Sequence, residues 1–234
     1  MKAIILSAGE GRRLRSLTEK MPKCLIPVNG KPLLEYWLDH CQKASMDDVI
    51  INGFYLADQV RDYLRSVENR YAFKIRFVAE DKLYGTGGTV KNQYELVKEE
   101  PFFFFCHGDN FTDINLNDFI RFHQEKQSTL TVAVYETTVP KQCGIMEEID
   151  ESGRVLKFTE KPQNPKTNLA SAALFLMSQQ IIKEFPKQET IDFSKEILPK
   201  YQGEMFAYRL PGFNVDIGTM ENYKLANSLA LQMA

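Results

Sequence analysis

Short apolar runs alternate with helically spaced ones through the first half of the chain. KAIILSA (Lys2–Ala8) predicts a buried strand. In PLLEYWLDHCQKA, Leu33, Leu34, Trp37, Leu38 and Cys41 share one helical face, and Pro32 suits a first turn. DVIIN (Asp48–Asn52) predicts a second strand, Val60 and Leu64 mark a helix, and KIRFVA predicts a third strand. A helix opens near GTGGT and leads to PFFFFC, a strand apolar throughout. Its phenylalanines point to both faces, which suits a core strand better than a stacking platform. Strands apolar on both faces and joined by helices indicate a parallel sheet covered on each side.

From about Gln127 the pattern changes. TLTVAVYET predicts a longer strand with partial alternation, and GIMEEI and RVLKFT, joined by DESG, predict a hairpin. After Ala170 strand and helix patterns return, and ENYKLANSLALQ predicts a closing amphipathic helix. No linker, repeat or low-complexity tract interrupts the chain. The expectation is one domain of 234 residues: a mainly nucleotide-binding half (1–126) and a more antiparallel half for a second ligand (127–234).

Composition narrows the chemistry. Lys plus Arg number 29 against 31 Asp plus Glu, net −2, so no global basic field recruits nucleic acid or anionic lipid. Hydrophobic residues make up 44%, enough to bury a core without disulfides or metal staples. The four cysteines, Cys24, Cys41, Cys106 and Cys143, show no CxxC spacing and read as small buried residues of a reducing compartment. No apolar stretch approaches the ~20 residues of a membrane span, and MKAIIL is too short for a signal peptide. The expected location is the cytoplasm.

Against that neutral background, GEGRRLRSLTEKMPK (Gly9–Lys23) stands out, with two glycines and five cations directly after a strand. Such a turn aims backbone N–H groups at an anion, and arginines grip phosphate oxygens. It is not a dinucleotide fingerprint: Leu14 fills the place of the third glycine, and IINGFY offers no acid for a ribose, which disfavours a nicotinamide oxidoreductase. The P-loop spacing is absent as well.

SAGEGRRLRSLTEKMPKCLIPVNGKPLLEY resembles the signature of the sugar-1-phosphate nucleotidyltransferase family, G-x-G-T-R-L-x-P-L-T followed by P-K-x-L-x-P-V-x-G-x-P-L. LYGTGGTV, FFFFCHGDN, CGIMEEIDESGRVLKFTEKP, NLASAALFLM, DFSKEILP and FNVDIGTMENYKLAN have counterparts in the same order, and the whole pattern is most similar to the mannose-1-phosphate guanylyltransferase-like branch, without the further C-terminal domain of longer members. Four positions depart from the pattern: Arg12 for threonine, Ser16 for proline, Tyr84 for leucine, and Ala173 for a glycine beside the sugar.

The resemblance implies a Rossmann-like α/β fold, a mainly parallel sheet flanked by helices with a smaller antiparallel sugar-binding portion. It implies transfer of a nucleotide from an NTP to a sugar 1-phosphate, with Mg²⁺ as cofactor and pyrophosphate as leaving group. By position, Arg13, Lys23 and Asp109 are the implied catalytic residues, and Asp109 and Asp216 the metal ligands. Leu6, Ala8, Gly9, Gly11, Arg13, Lys23, Glu80, Gly85, Thr86 and Asp109 would line the nucleotide. Gly144, Glu160, Lys161, Asn168 and Asp216 would meet the sugar phosphate. Arg12 and Arg15 are open between phosphate contact and solvated charge. Asp113 and Asp118 read as turn and helix-start residues, and His40 and His123 as ordinary structural or surface residues, while His107 borders the metal position. A carboxylate at Glu80 accepts from guanine's adjacent N–H donors, which favours GTP and leaves CTP, UTP and dTTP open. A non-catalytic relative that binds nucleotide sugar is the rival reading, and a homodimer is left open.

Overall fold

The computed structural model describes residues 1–232, apart from the side chain of Arg15. The fold is mixed α/β, with a mainly parallel sheet flanked by helices. The elements of the first part are β1 (Lys2–Leu6), α1 (Arg15–Thr18), β2 (Pro27–Val28), β3 (Lys31–Pro32), α2 (Leu33–Lys43), β4 (Asp48–Gly53), α3 (Ala57–Val67) and β5 (Lys74–Ala79). There follow α4 (Gly85–Asn92), α5 (Tyr94–Val97), β6 (Phe102–His107), β7 (Asn110–Thr112), α6 (Leu116–Glu125), β8 (Leu130–Glu136) and β9 (Gly144–Ile149). The last are β10 (Val155–Glu160), β11 (Leu169–Ser178), β12 (Phe206–Arg209), β13 (Asn214–Asp216) and α7 (Met220–Gln232). The chain forms two compact units, each from separate stretches: Met1–Leu83, Cys106–Leu116 and Gly212–Ala234 in one, Tyr84–Phe105 and Asn117–Pro211 in the other.

In the first unit β1, β4 and β5 run parallel, with Ile4 opposite Ile50 and Ile51 opposite Phe77. Ile4, Ile5, Val49, Ile50 and Ile51 are fully buried, as expected of strands apolar on both faces. The apolar face of α2 is buried along Leu33, Leu34, Trp37, Leu38 and Cys41. Pro32 stands one residue before the helix rather than inside it. Beside this, β13 pairs antiparallel with β7, Asp216 opposite Asn110. Leu14, Ile26, Val28, Phe111, Val215, Ile217 and α7's Ala226 and Ala230 form one buried cluster. Leu14 thereby anchors the cationic loop: burying one leucine stabilises by about 2 kcal/mol, and Leu14→Ala would cost more because a cavity remains.

In the second unit β11 pairs antiparallel with both β8 and β9, β9 with β10, and β12 runs parallel to β8. The β9–β10 hairpin turns at DESG, where the Asp150 carboxylate accepts from the backbone N–H of Ser152 and Arg154 and Gly153 adopts φ +90°. The phenylalanine run is core: Phe103, Phe104 and Phe105 are fully buried, and Phe105 packs on Phe175 and Phe193 at 4.6 and 4.8 Å. Between β11 and β12 the chain forms short helical turns at Gln179–Glu184, Phe193–Ile197 (a π-turn) and Leu198–Tyr201.

Candidate active site

The first unit builds the cationic loop from the end of β1. The Leu6 carbonyl accepts from Gly108 N–H (2.9 Å), and Ser7 N–H donates to the buried Asn52 carboxamide (2.7 Å). Asn52 was not singled out from sequence, although a polar side chain closing an apolar strand is the available signal. Gly11 turns the chain with φ +62°, and a Cβ there would lie 2.7 Å from the Thr18 methyl. Gly9 has nothing within 4 Å of its Cβ position, so the space beside it is open. Arg12 is exposed and pairs with Glu10, and Arg13 points its guanidinium at Asp216, 3.4 Å away.

Lys23 lies on the helical turn Lys23–Leu25 that follows Pro22. Its side chain is buried, 8% exposed, and the ammonium donates to Asp109 (2.6 Å) and to Asp216 (2.8 Å). The two acids meet because of the small β7–β13 ladder: Asp109 immediately precedes β7, Asp216 ends β13, and Ile217 N–H donates to the Asp109 carbonyl (3.1 Å). Trp37 supports this ladder by donating its indole N–H to the Asn110 carbonyl (3.0 Å). Gly218 N–H donates to Asp216 at 2.8 Å, and a Cβ on Gly218 would lie 2.5 Å from the Arg13 guanidinium. Gly218 is a second residue the sequence reading passed over; a glycine two places after the acid was its signal.

Burial by itself would lower the Lys23 pKa, but Asp109 and Asp216 outweigh it and hold the ammonium above an ordinary lysine. For Asp109 burial pushes the carboxyl up, while Lys23 and His107 pull it further down, below the usual range. Lys23 and Asp109 thus each favour the charged form of the other. Among the described residues no group of three or more His, Cys, Asp and Glu forms a metal cage. Asp109 and Asp216 do converge on one cation, the Lys23 ammonium. Two hard carboxylates suit Mg²⁺, which takes the rest of its shell from phosphate oxygens and water.

His40 and His123 are structural, as expected. His40 Nε2 contacts the Thr112 carbonyl (3.1 Å), and His123, buried against Thr131 (2.7 Å), is pushed down to about 4 by burial. Asp113 accepts from Phe213 N–H at 2.8 Å, in a turn role. Asp118 falls in the first turn of α6 and pairs with Arg121. Glu80 follows β5, its N–H donating to the Gly53 carbonyl (2.8 Å).

The second unit carries the remaining candidates. Gly85 has φ +71°, and a Cβ there would sit 2.5 Å from the Ile191 carbonyl oxygen. Cβ atoms on Gly87 and Gly88 would meet the Ile191 side chain (2.7 Å) and the Glu189 carbonyl oxygen (2.3 Å). Internal packing against residues 189–191 therefore accounts for these glycines. Thr86 Oγ1 accepts from Phe193 N–H (2.9 Å). A Cβ on Gly144 would meet Glu160 Oε2 at 2.7 Å, and burial raises the Glu160 carboxyl despite Lys161, whose ammonium is 3.7 Å away. Asn168 is exposed, its carbonyl taken by Thr137 N–H (2.9 Å). Lys161 and Ala173 both have positive φ, +50° and +56°, an uncommon conformation for non-glycine residues.

Residues 2–232 match the family described as nucleotidyl transferase. Mannose-1-phosphate guanyltransferase beta-B of Xenopus laevis is 32% identical over 236 residues, 99% of this chain and 65% of its own length. Mannose-1-phosphate guanylyltransferase 1 of Arabidopsis thaliana is 29% identical over 229 residues, 95% of this chain and 63% of its own. The chain thus spans less than two thirds of the length of these relatives. The solved structure of HddC from Yersinia pseudotuberculosis superposes with TM-score 0.82 at 26% identity, covering 98% of this chain and 99% of its own. A UDP-glucose pyrophosphorylase complexed with UDP-glucose superposes with TM-score 0.84 at 20% identity over 100% and 99%, a likeness of fold.

Proposed function

Because the chain belongs to the nucleotidyl transferase family, we propose that it joins a nucleoside triphosphate to a sugar 1-phosphate and releases pyrophosphate. GTP and a mannose-1-phosphate-like sugar are the favoured pair, since relatives at about this identity are named mannose-1-phosphate guanylyltransferases. The observation that carries the reading is the buried Lys23 ammonium held between Asp109 and Asp216, with Arg13 beside them.

An oxygen of the sugar phosphate bonds to the α-phosphorus, the bond to the bridging oxygen breaks, and the electron pair leaves with pyrophosphate. A phosphate monoester has its second pKa near ~6, so the attacking oxygen is ionised at neutral pH and no general base is required. Positioning and charge neutralisation remain as the protein's task. Lys23, fixed and desolvated, stabilises charge as the α-phosphorus becomes five-coordinate, because an oriented ammonium needs no reorganisation during the step. Arg13, 65% exposed, would follow the departing phosphates. Mg²⁺ held by Asp109 and Asp216 would neutralise and polarise phosphoryl oxygens. Lys23 and Arg13 are matched one for one by the two carboxylates, which is why a divalent cation is needed to bring two polyanions together.

In the same reading Glu80 selects the base, Glu160 accepts from sugar hydroxyls, Lys161 and Asn168 contact the sugar phosphate, and Gly144 leaves room for the Glu160 carboxylate. The test is a matrix of NTPs against sugar 1-phosphates with Mg²⁺, reading pyrophosphate release. Release that requires both substrates, fastest with GTP, is expected. A folded protein that releases none with any pair would overturn the proposal.

A further inference from the structure

The loop between Arg13 and Lys23 is gripped from outside the charged cluster, by the start of α3. The Tyr55 hydroxyl lies 3.0 Å from the Thr18 carbonyl and 3.2 Å from that of Glu19, sharing its proton between them. Gln59 Nε2 donates to the next carbonyl, Lys20, at 3.1 Å. Three successive carbonyls are thus taken by two side chains four residues apart, one just before α3 and one in its first turn. The same stretch is pinned internally: Thr18 is buried, its hydroxyl donates to the Gly11 carbonyl (2.9 Å), and its methyl closes on Gly11.

The chain accepts strain to present these side chains. Leu56, between Tyr55 and α3, has φ +49° and ψ 39°, a left-handed conformation unfavourable for a leucine. Its carbonyl accepts from Gln59 N–H at 3.0 Å. A strained residue persists where its surroundings over-determine it, and such residues gather at functional positions.

We propose that Tyr55 and Gln59 are positioning residues that fix the path of the phosphate loop, and with it the separation of Arg13 from Lys23. The kinetic consequence rests on the proposed function; the structural one does not. Tyr55→Phe keeps the ring and deletes the shared hydrogen bond, and Gln59→Leu deletes the other.

Two readouts test this. In limited trypsin digestion, cleavage after Arg12, Arg13, Arg15 and Lys20 should accelerate about five-fold in Tyr55→Phe and more in the double variant, with sites outside the loop unchanged, as expected for losing one or two net hydrogen bonds. Inorganic tripolyphosphate should protect the wild-type loop better than the variant loops. In steady-state kinetics the KM for NTP should rise about five-fold per lost bond while the KM for sugar phosphate stays within about two-fold. Unchanged loop cleavage in the double variant, or equal rises in both KM values, overturns the proposal. A loosened loop in a protein inactive toward every substrate pair supports the clamp and overturns the functional reading instead. Should the double variant fail to fold, Tyr55→Phe alone decides by the same cleavage ratio.

Discussion

Replacing Lys23 by methionine keeps most of the side chain's volume and removes its charge, leaving Asp109 and Asp216 facing each other. Their accepting oxygens are held within about 5.4 Å, the sum of the two contacts to Nζ, where repulsion is about 3 kcal/mol at an effective dielectric of ~20 and under about 1 kcal/mol in water. Asp109 and Asp216 are 36% and 43% exposed, so solvent screening brings the expected loss of stability to about 1–2 kcal/mol. Its pH dependence is specific. In the wild type the Asp109 carboxyl lies below its ordinary value, so its stabilisation holds at neutral pH and is lost as pH falls through that lowered value. Lys23 lies above its ordinary value, so its contribution is lost only in strong alkali, as pH rises through that raised value. In the variant the attraction of Lys23 is gone while burial still opposes ionisation, so the Asp109 carboxyl rises from its lowered value. The gap between wild type and variant therefore opens through the carboxylate range, is flat around neutrality and closes in acid. Urea unfolding across pH measures it, with m unchanged. Pyrophosphate release should fall by about 10²–10³, the cost of removing one fixed charge-stabilising donor. A gap near zero at neutral pH, a gap that widens in acid, or turnover near wild type would refute the reasoning.

Glu80→Gln replaces a pure acceptor by a donor and acceptor, so the ratio of kcat/KM between GTP and the pyrimidine triphosphates should fall while sugar preference holds; an unmoved nucleotide profile contradicts the base-reading role. Gly88→Ala puts a Cβ 2.3 Å from the backbone oxygen of Glu189, which cannot swing aside, and should cost about 2 kcal/mol or more by thermal unfolding; an unchanged Tm contradicts the packing account. His123, held down to about 4 when folded against about 6.5 unfolded, makes the wild type lose stability as pH falls through that interval. His123→Gln should flatten this slope by up to about 1.4 kcal/mol per pH unit in urea unfolding, and an identical slope would show that His123 is not buried neutral.

Much of this was legible in the sequence because its signals are local. β1 and β4 are apolar on both faces and read as continuous runs, and the β9–β10 turn announces itself in DESG, whose aspartate and glycine each have a mechanism. The cationic loop was visible because five charges and two glycines follow a strand in an otherwise balanced chain. What local pattern does not carry depends on distant partners, and in the sequence the pairing of Asp109 with Asp216 rests on the family resemblance alone. Lys23 and Asp216 are 193 residues apart, and the ladder that joins the two acids is three residues long, too short for any periodicity. Nothing in GTGG indicates that its glycines yield space to Ile191 and Glu189, because that demand is written a hundred residues later. The grip of Tyr55 on the loop is likewise invisible, since both its acceptors are backbone carbonyls.

The central claim is that the sugar phosphate itself attacks the α-phosphorus, brought there by fixed positive charge with no group removing a proton. Sugar 1-phosphate carrying heavy oxygen in its non-bridging positions, turned over with unlabelled NTP and Mg²⁺, tests it directly. Mass spectrometry should find the label in the nucleotide sugar and none in pyrophosphate. Heavy oxygen in the pyrophosphate, or pyrophosphate released without sugar phosphate, would contradict it.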